Sequence, residues 1–164
     1  MASLSKETNI SFPTLQKYLS ILEETYVIKL VAPYSKSASV EISKNPKIFF
    51  FDSGLVSMLW FHTFQKTLLG SVFETNIFGE LVRQYGRSSI YFWRTKHKQE
   101  IDFIVNDEKQ LLPIEIKTSF NQFNQSAIKS FLKKYHLAKW RVIALEGEKK
   151  DKHYIFPWQI KQFK

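Results

Sequence analysis

Apolar and polar residues alternate in two segments near the middle of the chain, and this period of two predicts two β-strands. The apolar rows are Ile101, Phe103 and Val105 in the first segment and Leu112, Ile114 and Ile116 in the second. A turn over residues 107–110 would join the two strands as a hairpin and pair Val105 with Leu112. A slip of one residue would expose one of the apolar rows, so the pattern favours this register.

The segments around the hairpin predict two helices and two further strands. Residues 70–85 have apolar side chains at 73, 77, 78, 81, 82 and 85, which is the spacing of an amphipathic helix. Residues 89–94 and 139–145 are predicted strands. Residues 121–135 are a predicted helix, and its buried side comprises Ala127, Ile128, Phe131, Leu132 and Tyr135. The predicted order from residue 70 onwards is α-β-β-β-α-β, a fold of the α/β (α+β) class.

The first third of the chain predicts a helix-turn-helix: a short helix, a turn at residues 9–11, and a longer helix opened by Pro13 and Thr14. The predicted inward stripe is Leu15, Tyr18, Leu19 and Leu22, and the predicted outward residues are Thr14, Gln16, Lys17 and Ser20. Residues 26–31 and 40–42 are candidates for the two strands of a wing. Such units often read DNA with the second helix. However, residues 1–41 contain four Lys and four Glu, so a spacer or protein-docking role has at least equal support.

The hairpin carries the candidate chemistry. Its register places Asp102 opposite Glu115 and Glu100 opposite Lys117, so that the four charged groups share one face. Neighbouring carboxylates repel each other unless a cation lies between them, and Mg²⁺ or Mn²⁺ prefers such hard oxygen ligands. Lys117 would then stabilise charge on a phosphate or orient an attacking water. The alternative is a solvent-exposed hairpin whose cross-strand ion pairs contribute about 0.2–1 kcal/mol each.

Taken together, the motifs resemble a known family: the C-terminal region, a domain of unknown function, of prokaryotic ATPases of the AAA type. The residues that carry this resemblance are the helix-turn-helix with Tyr18-Leu19 and Leu22-Glu23, residues 44–55, Phe73-Glu74-Thr75-Asn76, Glu100-Ile101-Asp102-Phe103 and Pro113-Ile114-Glu115-Ile116-Lys117. The resemblance implies a winged helix followed by a restriction-endonuclease-like domain of the PD-(D/E)xK type. It also implies that Glu74, on the first helix of that domain, completes the site of Asp102, Glu115 and Lys117.

The resemblance also implies an ATPase module ahead of this region, and no such module is evident here. No glycine lies in a GxxxxGK[ST] motif, so we expect no P-loop ATP site in this chain. A winged helix usually has a further helix before its helix-turn-helix, so we expect the chain to be a fragment or a truncated gene product. The expected units are a partial winged helix over 1–45, a connecting helical segment over 46–70, and a restriction-endonuclease-like domain over 71–164.

Charge and composition narrow the function classes. The net charge is +9, and residues 121–164 hold ten Lys/Arg against three Asp/Glu. Lys129, Lys133 and Lys134 on the polar side of the predicted 121–135 helix are candidates for binding a nucleic-acid backbone, most plainly that of DNA. The alternative is a solvated lysine face that keeps a chain with fifteen Phe in solution.

Several site classes have no support in the sequence. Cysteine is absent, which excludes disulfides and thiol chemistry, and the four histidines are scattered, which argues against zinc. Apolar runs are far shorter than a membrane span and no signal peptide opens the chain, so a cytoplasmic protein is expected. Asp52 is interpreted as a helix cap rather than a catalytic acid.

These observations leave two main hypotheses and one minor one. The first is a metal-dependent nuclease that uses Asp102, Glu115, Lys117 and Glu74, with Asp102 and Glu115 as the Mg²⁺ or Mn²⁺ ligands. The second is a non-catalytic regulatory domain that docks an ATPase on DNA or on a protein. A transcription regulator acting through the helix-turn-helix is the third, and the neutral charge of that segment argues against it.

Overall fold

The structure, a computed structural model, describes residues 2–35, 45–63, 70–95, 99–108 and 110–163. In chain order the elements are α1 (Ala2–Thr8), α2 (Phe12–Glu24), β1 (Ile28–Val31), β2 (Lys47–Phe50), α3 (Ser53–Phe61), α4 (Gly70–Tyr85), β3 (Ile90–Arg94), β4 (Glu100–Asp107), β5 (Gln110–Ser119), α5 (Ser126–Tyr135), β6 (Arg141–Glu146) and β7 (Tyr154–Ile155). Short 3₁₀ helices cover Phe120–Gln122 and Pro157–Phe163. No helix in the described ranges is long and apolar enough to cross a membrane.

A five-stranded mixed sheet in the order β3-β4-β5-β6-β7 forms the centre of the molecule. β3, β4 and β5 are antiparallel neighbours, whereas β5-β6 and β6-β7 are parallel. The core on one sheet face packs against α4, and the core on the other face packs against α5. The predicted element order from residue 70 is confirmed as a mixed α+β arrangement. The two-residue strand β7 was not predicted, because it is too short to show a period.

The predicted hairpin register is confirmed over its paired part. Val105 pairs with Leu112, and the β4–β5 pairing extends from Asp107–Gln110 to Phe103–Ile114. The prediction that Ile101 shares a face with Phe103 is wrong: Ile101 packs in the core on the α5 side, whereas Phe103 packs on the α4 side.

A bulge in β4 explains this difference. Tyr91 of β3 pairs with Ile104, but Trp93 pairs with Ile101, so Phe92 faces both Asp102 and Phe103. The extra residue in β4 interrupts the strict alternation of faces, as β-bulges do.

The N-terminal helices form as predicted, but their buried stripe is narrower. Ser11 caps α2 by accepting a hydrogen bond from the N–H of Thr14, and a proline lies in the first turn. Leu15 and Leu19 are buried, whereas Tyr18 and Leu22 are 51% and 38% exposed. The predicted inward positions of Tyr18 and Leu22 are therefore wrong. Among the described residues, α2 packs against the small layer formed by α1 and β1, which covers one narrow stripe of it.

The strand that follows α2 begins at Ile28, because Tyr26 has a positive φ of 59° and breaks the extended backbone. β1 pairs antiparallel with β2, and Val31 lies opposite Lys47. The predicted second strand of the wing, residues 40–42, lies outside the described residues. The segment after β1 reaches the central sheet, where Pro33 bridges Phe92 of β3.

The helices α3 and α5 each follow a side chain that accepts a backbone hydrogen bond. Asp52 accepts a hydrogen bond of 2.7 Å from the N–H of Leu55, which confirms it as the cap of α3. The predicted start of the fifth helix at residue 121 is wrong, because α5 begins at Ser126. The Asn124 side chain accepts a hydrogen bond from the N–H of Ser126 after the 3₁₀ helix has ended, so the helical repeat starts anew there.

Candidate active site

The candidate site lies where β4 and β5 stop pairing. Phe103–Ile114 is the last pair of the described ladder on this side, and Asp102 follows at the bulge. Beyond it the Asp102 carboxylate replaces a strand partner: its Oδ2 accepts a hydrogen bond of 2.8 Å from the N–H of Ile116. The bulge and this hydrogen bond together hold the Asp102 carboxylate at the gap between the two strands.

Lys117 links the two acids of the predicted site. Its Nζ donates hydrogen bonds to Glu115 Oε2 at 2.8 Å, to the Ile116 carbonyl at 2.9 Å and to Asp102 Oδ2 at 3.4 Å. The Glu115 side chain is 7% exposed, that of Asp102 18% and that of Lys117 27%. Three oxygens therefore converge on one half-buried ammonium group, and the prediction that Asp102, Glu115 and Lys117 lie together agrees with this geometry.

Glu74 joins this group from the helix α4. A pocket of about 410 Å³ is lined by Glu74, Asp102, Lys117, Thr118 and Gln122, together with Gly70, Phe73 and Ile116. Three of the lining residues, Gly70, Phe73 and Glu74, belong to α4. Thr118 and Gln122, which hydrogen bond to each other at 2.9 Å, were not predicted as site residues. Nothing in their types or spacing distinguishes them from other polar residues.

Nearby cations do not offset the burial of Glu74 and Glu115, and the pKa values of both are raised. Burial, and next the neighbouring Asp102 carboxylate, raises the pKa of Glu115 to about 8. Burial, and next Asp102, also raises the pKa of Glu74 to about 7, against the opposing effect of Lys47. For Lys117, burial opposes the ammonium form, but the Asp102 and Glu115 carboxylates outweigh it and raise the pKa of Lys117.

Glu100 has other partners than the one predicted. The prediction placed it opposite Lys117, but its Oε1 contacts Lys47 of β2 and its Oε2 contacts Arg94 of β3. The reason is that β3 and β4 remain paired at Arg94–Glu100, whereas β4 and β5 have already separated. Burial disfavours the Glu100 carboxylate, yet the contacts with Lys47 and Arg94 lower its pKa below the usual value. Glu100 is thus a member of an ion-pair network beside the pocket.

A divalent cation such as Mg²⁺ requires several hard oxygen donors around one point. Among the described residues, no three His, Cys, Asp or Glu side chains form a ready-made metal cluster. The Asp102 carboxylate, the Glu115 carboxylate and the Ile116 carbonyl nevertheless meet at one point, where the Lys117 ammonium lies. These are hard oxygen donors, which suit Mg²⁺ or Mn²⁺. The residues fit a divalent ion provided that the Lys117 ammonium moves away.

The basic residues predicted to bind nucleic acid lie apart from this group. Lys17 is exposed on α2, and Lys129, Lys133 and Lys134 are exposed on α5. α5 packs on the sheet face opposite α4, which carries Glu74. No described ion pair or hydrogen bond connects these four lysines to the acidic site. Lys47 of β2, which was not predicted as a site residue, forms ion pairs with Glu74 and Glu100 beside this site.

Comparison with known proteins places the chain in a family without assigning an activity. The family model "Domain of unknown function (DUF4143)" matches residues 69–162, and "Domain of unknown function (DUF8612)" matches residues 1–66. Uncharacterized proteins of Mycobacterium bovis and Mycobacterium tuberculosis are each 23% identical to the chain over 147 residues. The aligned part covers 87% of this chain and 33% of each relative, so the chain spans about a third of their length. No solved structure matches the chain. Because the first model covers more than half of the sequence, the chain belongs to the DUF4143 family of domains of unknown function.

Proposed function

We propose that the chain carries a divalent-metal-dependent phosphodiesterase site that acts on nucleic acid. The observation that carries the proposal is the contact of Lys117 with Asp102 and Glu115, at one end of a pocket that Glu74 also lines. Two carboxylates and a lysine in contact suit phosphate-ester hydrolysis, in which negative charge builds up on the phosphate oxygens.

The order and pairing of the elements support the same reading. α4, β3, β4, β5, α5 and β6 follow the order of the restriction-endonuclease-like fold, and the acids lie on its second and third strands. We extend the proposal to residues 1–45, with α1, α2 and β1 as parts of a partial winged helix.

Asp102 and Glu115, with the Ile116 carbonyl beside them, would hold Mg²⁺ or Mn²⁺. The bound ion would supply an acidified water and a positive charge next to the phosphate. The chain itself contributes the placement of the oxygens: the bulge and the Ile116 N–H hold the Asp102 carboxylate, and burial on β5 restrains Glu115. Glu74, in the same pocket, would add negative charge that favours binding of the ion and would accept a proton or hydrogen bond from a water there.

Lys117 has two tasks in this proposal. Before loading, its ammonium balances the charge of the Asp102 and Glu115 carboxylates, which would otherwise repel each other. After loading, the same ammonium would turn toward the pocket and stabilise charge on a phosphate oxygen. The flexible four-carbon stem of lysine and its 27% exposure allow such a movement.

The wider setting is also part of the proposal. We infer that the module belongs to the C-terminal part of an AAA-type ATPase and that the rest of such a protein recruits or delivers the nucleic acid. The length of the relatives, about three times the aligned part, leaves room for an ATPase module. A cytoplasmic location and binding of DNA through Lys17, Lys129, Lys133 and Lys134 remain part of this proposal.

A second candidate function, a docking domain without catalysis, is favoured by one observation. α3 presents an exposed apolar face with Leu55, Met58, Leu59 and Trp60 at 37%, 43%, 59% and 77% exposure. Such a face is typical of contact with another protein surface. Under this alternative the acidic group has a structural role only.

The test is an incubation of the purified chain with end-labelled single- and double-stranded DNA and RNA. Parallel reactions contain Mg²⁺, Mn²⁺ or EDTA, and the variants are Asp102→Asn, Lys117→Met and the surface control Lys6→Met, an exposed lysine on α1 with no role in the proposal. The proposal expects cleavage that needs the metal, that falls at least a hundredfold in the first two variants and that persists in the control. Equal cleavage by Asp102→Asn, or no metal-dependent cleavage of any substrate, would refute it.

A further inference from the structure

Aromatic packing holds β2 against α4 and β4. Phe49 of β2 is buried, and its ring lies 5.0 Å from the ring of Phe78 on α4 and 5.0 Å from that of Phe103 on β4. Side chains two residues apart in a strand point to the same face. Lys47 therefore extends over the same two elements as Phe49.

The contacts of Lys47 follow from this arrangement. Glu74 lies one helical turn before Phe78, and Glu100 lies at the start of the strand that contains Phe103. The Lys47 ammonium is 3.8 Å from Glu74 Oε1 and forms a closer ion pair with Glu100 Oε1. It also lies 5.3 Å from the centre of the Phe92 ring, and its side chain is 23% exposed. Packing of the Phe49 ring thus places the Lys47 ammonium at the edge of the acidic site.

Lys47 and Arg94 differ in one respect that matters for the site. Both contact Glu100, on its two different oxygens. Among the described residues, Lys47 is the cation within ion-pair distance of Glu74, and Arg94 is not. Loss of Lys47 would leave Glu100 with its Arg94 partner but would leave Glu74 facing Asp102 and Glu100 without a nearby cation on that side.

We propose that Lys47 is a positioning residue that holds Glu74 at the pocket of the candidate site. The inference rests on the proposed function, because it concerns the same acidic site. It also means that the region matched by the second family model, residues 1–66, supplies a side chain to the site formed within residues 69–162. The two matched regions would then act as one functional unit.

The test measures Mn²⁺ affinity by isothermal titration calorimetry, without substrate. The variants are Lys47→Met, Glu74→Gln, the double variant, and Arg94→Met as the matched control. Removal of a nearby positive charge by itself strengthens binding of a cation. Measured at a pH well above 7, so that Glu74 stays ionised, a loss in Lys47→Met therefore reports the displacement of Glu74 and not the change in local charge.

We expect Lys47→Met and Glu74→Gln each to weaken Mn²⁺ binding about tenfold, equivalent to about 1.4 kcal/mol, and the double variant to bind no more weakly than Glu74→Gln alone. Arg94→Met should bind Mn²⁺ at least as tightly as the wild type, and Lys47→Arg should recover most of the lost affinity. Unchanged or tighter binding in Lys47→Met, or additive losses in the double variant, would overturn the inference. Lys47→Gln replaces Lys47→Met if the latter does not fold.

Asp102→Asn separates this inference from the proposed function. If Asp102→Asn abolishes Mn²⁺ binding while Lys47→Met does not weaken it, only the role of Lys47 is refuted. If Asp102→Asn binds Mn²⁺ as tightly as the wild type, the metal site itself is refuted, and the positioning role is refuted with it.

Discussion

Replacement of Lys117 by Met is the most informative single perturbation, because it removes the charge and keeps most of the side-chain volume. In the wild type the ammonium touches two carboxylates, and the Glu115 side chain is 7% exposed. Without the ammonium, Asp102 near the start of β4 and Glu115 on β5 have no cation between them. We therefore expect Lys117→Met to be less stable than the wild type and to be stabilised more strongly by a divalent metal.

The magnitude follows from burial. Removal of one partner of a buried ion pair typically costs about 3–5 kcal/mol, because the other charge stays buried without a partner. Lys117 is 27% exposed, so water screens part of the interaction. At neutral pH Glu115 is in addition largely protonated, because burial and Asp102 raise its pKa to about 8, so it leaves little charge without a partner. Both effects reduce the loss, and we expect about 2–3 kcal/mol at neutral pH.

The assay is urea unfolding in EDTA and in excess Mn²⁺, followed by tryptophan fluorescence. Saturation of a site at about a hundred times its dissociation constant stabilises the folded state by about 2.7 kcal/mol. Mn²⁺ should recover most of the loss in Lys117→Met. Lys29→Met is the matched control, because Lys29 forms an ion pair with Glu23 and has a similar exposure of 23%. The stability that Lys29→Met loses relative to the wild type should be the same with and without Mn²⁺.

Two results would contradict this reasoning. If Lys117→Met in EDTA were as stable as the wild type, the carboxylates would not depend on the ammonium. If Mn²⁺ stabilised Lys117→Met no more than the wild type or Lys29→Met, the three oxygens around Lys117 would not form a site for a divalent ion.

Three further predictions concern pH, packing and backbone conformation. Burial and Asp102 raise the pKa of Glu74 from 4.5 to about 7, so the wild type should lose up to about 3 kcal/mol of stability as the pH rises from 4.5 through 7. Urea unfolding of Glu74→Gln across this range should lack that part of the loss. If the stabilities of the wild type and Glu74→Gln changed in parallel with pH, the prediction would be contradicted. Phe49→Ala should cost about 3–5 kcal/mol, because the ring is buried against two others, and unchanged urea midpoints would refute this packing role. Gly147→Ala should lower the melting temperature measured by circular dichroism, because Gly147 has a φ of 101° and an added Cβ would lie 3.1 Å from the Phe120 backbone nitrogen. Gly86 has a φ of 81° but open space around it, so Gly86→Ala should lower the melting temperature less.

The elements of the sheet and the helix α4 could be predicted from the sequence because local pattern decides them. The short turn fixes how Val105 meets Leu112, and the two apolar rows leave only one register that buries both. The Asp52 cap was equally accessible, since an acid before an apolar helix has a local hydrogen bond to make.

The departures come from contacts between distant parts of the chain. The bulge at Asp102 depends on how β3 pairs with β4, and no residue type in β4 indicates that one residue is extra. Glu100 finds Lys47 because Phe49 packs into a core formed mainly by later residues. Tyr18 was predicted to be buried because it follows the helical period, but the period does not tell how wide a face the neighbouring layer covers. Long-range packing therefore decides the details of the site, whereas local patterns decide its framework.

The bridge between Pro33 and β3 has a practical consequence for experiments on this family. The N–H of Tyr34 donates a hydrogen bond to the Phe92 carbonyl, and the N–H of Phe92 donates one to the Ala32 carbonyl, so the outer edge of β3 is covered by the preceding segment. A protein cut at the start of the region matched at residues 69–162 would lose this cover. Its bare strand edge would be free to pair with other molecules, as uncovered sheet edges do. The boundary drawn by sequence similarity therefore does not coincide with a boundary at which the polypeptide can be divided without inviting aggregation.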